Sequence, residues 1–73
     1  MRTDQFFQKT YDVHFNDGVS CDNKGFKASY KYCHKYILMH NGTDHSYFED
    51  YKGGIVQIHC NETDEIVFGV EIN

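Results

Sequence analysis

The C-terminal stretch from Gly54 onward constrains the fold of this chain more than any other segment. Gly54-Ile55-Val56-Gln57-Ile58-His59-Cys60 and Glu65-Ile66-Val67-Phe68-Gly69-Val70-Glu71-Ile72 flank the polar turn Asn61-Glu62-Thr63-Asp64. Val56, Ile58 and Cys60 alternate along the first arm, and Ile66, Phe68, Val70 and Ile72 along the second. A period of two is that of a strand with one buried side, because successive side chains leave a strand on opposite faces. Two such arms around a short turn predict a β-hairpin whose inner face needs a covering layer.

The rest of the chain supplies that layer. Gln5 to Phe15 alternates as well: Phe7, Tyr11, Val13 and Phe15 share a side, interrupted by Lys9, while Gln8, Thr10, Asp12 and His14 share the other. Asn16-Asp17-Gly18 breaks this strand with turn residues. Val19 to Gly25 is either a loop or a short returning arm. Phe26 to His40 reads as a helix, with Phe26, Tyr30, Cys33, Tyr36, Ile37 and His40 clustering at 100° per residue and Asn41-Gly42 as its stop. Ser29 is an alternative N-cap that would start the helix later. The expected fold is a single α+β domain over residues 1–73, a three- to four-stranded antiparallel sheet with one helix packed on one face in β-α-β-β order. Its core should contain Tyr11, Val13, Phe15, Tyr30, Cys33, Ile37, Val56, Ile58, Ile66, Phe68 and Val70.

Size limits what such a domain can do. At 73 residues the buried fraction of the chain is only about 60%, so the core is small and a deep pocket has little room. Three cysteines, Cys21, Cys33 and Cys60, cannot all pair with one another, which argues for a reducing, cytoplasmic setting. No apolar run follows the N-terminus and none is long enough to span a membrane, so we expect neither a secretory leader nor a membrane role. Asn41-Gly42-Thr43 and Asn61-Glu62-Thr63 fit the glycosylation pattern, but in that setting they are turn chemistry. A net charge of −4 works against direct binding to nucleic acid phosphates.

Five histidines and three cysteines raise a zinc hypothesis. Their spacing does not support it: Cys33-His34 and His59-Cys60 are adjacent pairs, and neighbours in a strand point apart. We therefore expect no metal and no cofactor. Asp44-His45-Ser46 has the residue types of a hydrolytic triad, but a triad converges from separate elements. A solvated loop after a helix stop is the commoner arrangement, and no catalytic residue is assigned.

Two surfaces are left as candidates. Tyr47, Phe48 and Tyr51 with Glu49 and Asp50 combine rigid aromatic contact area with acids that would steer a basic partner. The alternative for Tyr47 and Phe48 is that they plug one end of the core. Lys24, Lys27, Lys31 and Lys35 fall on one helical ridge and would suit an acidic partner, although a solvated helix face is the usual meaning of such a ridge.

In size, in lacking a catalytic motif, in the aromatic loop His45–Tyr51 and in the terminal hairpin, the chain resembles the small acidic proteins with which tailed phages inhibit host defence or host enzymes. That resemblance is one of general character. It implies a non-enzymatic protein that binds a host protein stoichiometrically, and a homodimer, for which an open strand edge and the outward Ile55 and Val67 are the sequence's own support. A DNA mimic or nucleic-acid contact protein, and a small metal-binding or redox protein, are the alternatives.

Overall fold

The structure is a computed structural model and describes residues 9–73. The outer part of the expected first strand, Phe7 included, lies outside the described residues. Six elements follow in order: β1 (Tyr11–Asn16), β2 (Cys21–Asn23), α1 (Tyr30–His40), α2 (Tyr47–Asp50), β3 (Ile55–Cys60) and β4 (Ile66–Glu71). The strands form one antiparallel sheet in the order β2-β1-β3-β4. This is the small α+β fold the patterning predicts.

The returning arm after β1 exists. Asp17 Oδ1 accepts from the backbone N–H groups of Val19 and Ser20, Asn16 Oδ1 accepts from Gly18, and Gly18 sits at φ +88°. Short polar side chains that satisfy their own turn make it tight enough to pair β2 back onto β1.

Val13 and Phe15 of β1 and Val56 and Ile58 of β3 point to one side of the sheet, where Cys33 and Ile37 of α1 meet them. All six are fully buried. Phe48 and Ile72 close the same core, and Tyr11, Phe68 and Val70 are packed against it half-buried.

Three expectations need correction. The helix starts at Tyr30, not Phe26, because Ala28 is held extended: its N–H and C=O exchange hydrogen bonds with Tyr11 at 3.2 and 2.7 Å. Ser29 then caps the helix, its hydroxyl accepting from the Tyr32 N–H at 3.0 Å. Tyr30, in the first turn, reaches the surface over the edge of the Tyr11 ring and does not enter the core. Ile66 is exposed as well. The pairing slips between Ile58 and His59, so Ile58 faces Phe68 but His59 faces Ile66, and the extra residue carries Ile66 to the outer side of the sheet. The slip follows a turn in which Asp64 takes φ +62°, with its N–H donating to Cys60.

Gly54 matters through space, not dihedral freedom. A Cβ there would lie 2.6 Å from the Asn16 carbonyl oxygen and 3.1 Å from that of Tyr51. The start of β3 thus passes directly against the turn that ends β1.

Candidate functional site

The aromatic-acidic loop divides once folded. Phe48 is fully buried, edge-on to Phe15 with ring centres 4.9 Å apart. Tyr51 is buried too, and its hydroxyl donates to Asp22 Oδ2 at 2.7 Å, tying α2 to β2. Tyr47 is half-buried beside Phe15. Only Glu49 and Asp50 stand free in solvent. Phe48 and Tyr51 therefore plug the core, and the patch lacks its two central anchors. The lysine ridge is divided as well. Lys24 and Lys27 precede the helix in the connector, and only Lys31 and Lys35 belong to α1. Lys24 Nζ donates to Ser46 Oγ at 2.8 Å and sits 5.5 Å above the Tyr47 ring.

Apolar side chains are left open on α1 and also on β3 and β4, where Ile55, Ile66 and Val67 are exposed. Tyr32, Leu38 and Met39 are exposed at 52, 63 and 58% on a helix whose buried contributions are Cys33 and Ile37. Tyr32, Lys35, Tyr36, Met39 and His40 line a cleft of about 260 Å³. Their spacing is i, i+3, i+4, i+7 and i+8, the continuous stripe of one helix side. The helix thus carries a second stripe besides the one spent on its own core. Phe26 meets both Tyr32 and Tyr36 edge-on, with ring centres 5.6 and 5.2 Å away, and fixes the rings of this stripe. The Tyr36 hydroxyl is buried with no hydrogen-bond partner among the described residues, and burial pushes its pKa up.

At the C-terminal end of the stripe His40 stacks on His45, ring centres 3.8 Å apart and nearly parallel. Desolvation, then the positive potential of His45 and Lys24, holds the His40 pKa below the ordinary imidazole value. These groups do not form a triad: Ser46 Oγ accepts from the Lys24 ammonium, and Asp44 lies 3.7 Å from Lys52. Ser46 nevertheless takes φ +52° and ψ −134°, a conformation that costs a residue with a side chain.

The opposite face of the sheet holds a second titratable group of residues. His14 and His59 stack across β1 and β3 at 4.4 Å, with Asp12 Oδ2 3.4 Å from His14 and Asp64 Oδ1 3.2 Å from His59. The pKa of His14 is lowered by desolvation and by His59, against the pull of Asp12. Asp12 itself is buried. It accepts from the Val13 and Phe26 N–H groups at 2.7 Å, the Asn23 amide at 2.9 Å and the Gly25 N–H at 3.1 Å. Burial is the largest single influence on its pKa and acts upward; the four hydrogen bonds together outweigh it and hold the carboxyl below its usual value. Among the described residues no three His, Cys, Asp or Glu side chains are placed to hold a metal ion. Cys33 lies under the helix with its thiol pushed up to about 11 by desolvation and by Asp12, while Cys21 is exposed. No described helix is long and apolar enough to cross a membrane.

The residues that sequence reasoning missed are Tyr32, Leu38 and Met39, and the node at Asp12. The first three carry a helical period of their own. Asp12 gives no local sign. Set against family models, curated proteins and solved structures, the chain matches none of them.

Proposed function

We propose that this chain works by binding and not by catalysis, docking the solvent stripe of α1 onto a partner protein and acting as a stoichiometric inhibitor of it. The observation that carries the reading is the second stripe: Tyr32, Tyr36 and Met39 with Lys35 and His40, at helical spacing, around an open cleft. A small domain leaves large apolar side chains on the solvent side of its longest described helix at a cost in solubility, and tyrosine and methionine are favoured contact residues at protein interfaces. Helix-in-groove recognition reads i, i+3, i+4 and i+7 anchors of this kind. The small acidic phage inhibitors supply the analogy for the biological role, with a host protein as target and the cytoplasm as its place.

Self-association through the sheet is the narrower route. Ile72 bonds to Gly53 and Gly54 on the β3 side, so Glu71 and Gly69 present their backbone groups to the edge of β4 that no strand among the described residues pairs with. Asn41 already fills part of it, its amide donating to the Glu71 carbonyl and accepting from the Asn73 N–H at 3.0 and 2.9 Å. That cap leaves Gly69 before the slipped pairing begins, a short edge for a homodimer.

The test is affinity capture from the presumed host with the wild type and two variants. Tyr32→Ala with Met39→Ala should lose the specific partner while keeping the wild-type circular dichroism. Tyr47→Ala should retain it. Retention by the α1 variant and loss by Tyr47→Ala would return the contact to the α2 loop.

A further inference from the structure

We propose that the occupant of the α1 stripe is an acidic amphipathic helix of the partner, which sets carboxylates against Lys31 and Lys35 and one apolar side chain in the cleft. This rests on the reading of α1 as the contact face and adds the chemistry of what it contacts.

Charge segregation is the first argument. The protein carries 11 acids and seven bases, yet α1 contains no acid at all. Four of the seven positive charges, Lys24, Lys27, Lys31 and Lys35, fall within or just before it. The exposed acids sit elsewhere, Glu49 and Asp50 on α2 and Glu62, Asp64 and Glu65 in the hairpin turn. An acidic protein that keeps one helix free of acid presents a field of opposite sign to its own net charge, which steers an acidic partner to that helix.

Shape is the second. About 260 Å³ falls below the range of roughly 300–1,000 Å³ in which small-molecule sites lie, so the cleft suits one or two side chains of a larger ligand. Its five lining residues span eight rises of α1, about 12 Å, which a crossing helix covers with two turns of contact.

Titration is the third. His40 and His45 are stacked at the end of the cleft, with Lys24 as the neighbouring cation and Lys35 lining the same cleft. The acid of the same loop, Asp44, lies against Lys52. A carboxylate brought to this end meets His40, which gains a proton more readily in its presence. A second copy of this chain does not fit, because its own long helix is the same basic one and its acids stand on strands, on turns and on the single-turn α2.

The experiment selects helical peptides from a display library on the immobilised full chain, then titrates the enriched peptides by fluorescence anisotropy. We expect sequences with Glu or Asp at i, i+4 around Leu, Phe or Trp, which gain helical circular dichroism when bound. Lys31→Glu with Lys35→Glu should weaken them by about tenfold or more, and raised salt should weaken them too. Affinity should rise as pH falls toward 6, and His40→Gln should flatten that rise. Neutral, basic or proline-rich winners would overturn the partner chemistry. If such peptides still need Tyr32 and Met39, the contact face stands and only the acidic partner falls. If neither the lysine nor the Tyr32 and Met39 changes affect them, the face itself is wrong. Lysine-dependent binding of oligo(dT) or phosphatidylserine vesicles, with no acidic peptide enriched, would also overturn it.

Discussion

Removing the Asp12 carboxylate should cost this domain about half of its stability. Four donors converge on that side chain: the backbone N–H groups of Val13, Gly25 and Phe26, and the Asn23 amide. Gly25 and Asn23 are exposed, so water replaces the carboxylate for them. Val13 is fully buried and Phe26 is half-buried, so their N–H groups lose a charged acceptor with less access to a substitute. Hydrogen bonds to charged groups are worth about 1.5–3 kcal/mol each, which puts Asp12→Ala at about 4 kcal/mol. A domain of this length has a total stability of about 4–11 kcal/mol. Asp12→Asn keeps one oxygen for Val13 and Phe26 and turns an amide toward the two exposed donors, so it should cost about 2 kcal/mol. Urea unfolding followed by circular dichroism measures both. A loss below about 1 kcal/mol for Asp12→Ala would refute the reasoning, since a buried and a half-buried donor would then be indifferent to their acceptor.

The same residue shapes the pH profile. The folded pKa of Asp12 is lowered, so below about pH 4 the unfolded chain takes up a proton that the folded chain refuses. Its contribution is complete above that pH and is lost as pH falls through the folded value. His14 is also lowered, so stability begins to fall earlier, from about pH 6.5 downward. Asp12→Asn should reduce the lower part of this loss, to which Asp17 and Glu62 also contribute, and deepen the upper part. It should also push His14 further down, since Asp12 is what raises it. NMR titration of the His14 ring reads this directly, and an upward shift in the variant would contradict the arrangement.

Phe48→Ala should destabilise by about 3–5 kcal/mol, as a truncated core aromatic does, while Tyr47→Ala costs clearly less; equal losses in thermal unfolding would mean that α2 does not plug the core. Gly54→Ala should cost about 3 kcal/mol, because the atoms its Cβ meets are backbone that cannot turn aside, and a neutral result would show that the β1 turn and β3 are further apart. Ser46→Gly should stabilise by about 1 kcal/mol, since glycine relieves φ +52° and the Lys24 contact it gives up is exposed; a destabilised variant would mean that the contact outweighs the strain.

The hairpin was legible because a period of two over both arms survives any detail of the turn, and Val56, Ile58 and Cys60 are buried as that period requires. Ile66 was not, since a single extra residue reverses every face beyond it and nothing in Asp64-Glu65-Ile66 announces the slip. The helix start was written in Ser29, but what decided it was the pairing of Ala28 with Tyr11, a contact across the chain that no local window holds. Asp12 was hidden for the same reason. A carboxylate in a half-buried strand reads as outward, and its four donors come together only when β2 folds back and the connector crosses over it.

The candidate site shows a different kind of ambiguity. Residues 30–40 carry two stripes at helical spacing, one through Cys33 and Ile37 and one through Tyr32, Tyr36 and Met39. Both place side chains three and four residues apart. The sheet breaks the tie. Cys33 and Ile37 lie fully buried against Val13, Phe15, Val56 and Ile58, while Tyr32 and Met39 stay exposed. The lysines follow from that choice: with Cys33 and Ile37 inward, Lys31 and Lys35 turn outward beside Tyr32 and Met39. Aromatic area and positive charge thereby end together on α1, a combination found in neither of the two patches offered by the sequence, the loop Tyr47–Tyr51 with its acids and the lysines Lys24, Lys27, Lys31 and Lys35.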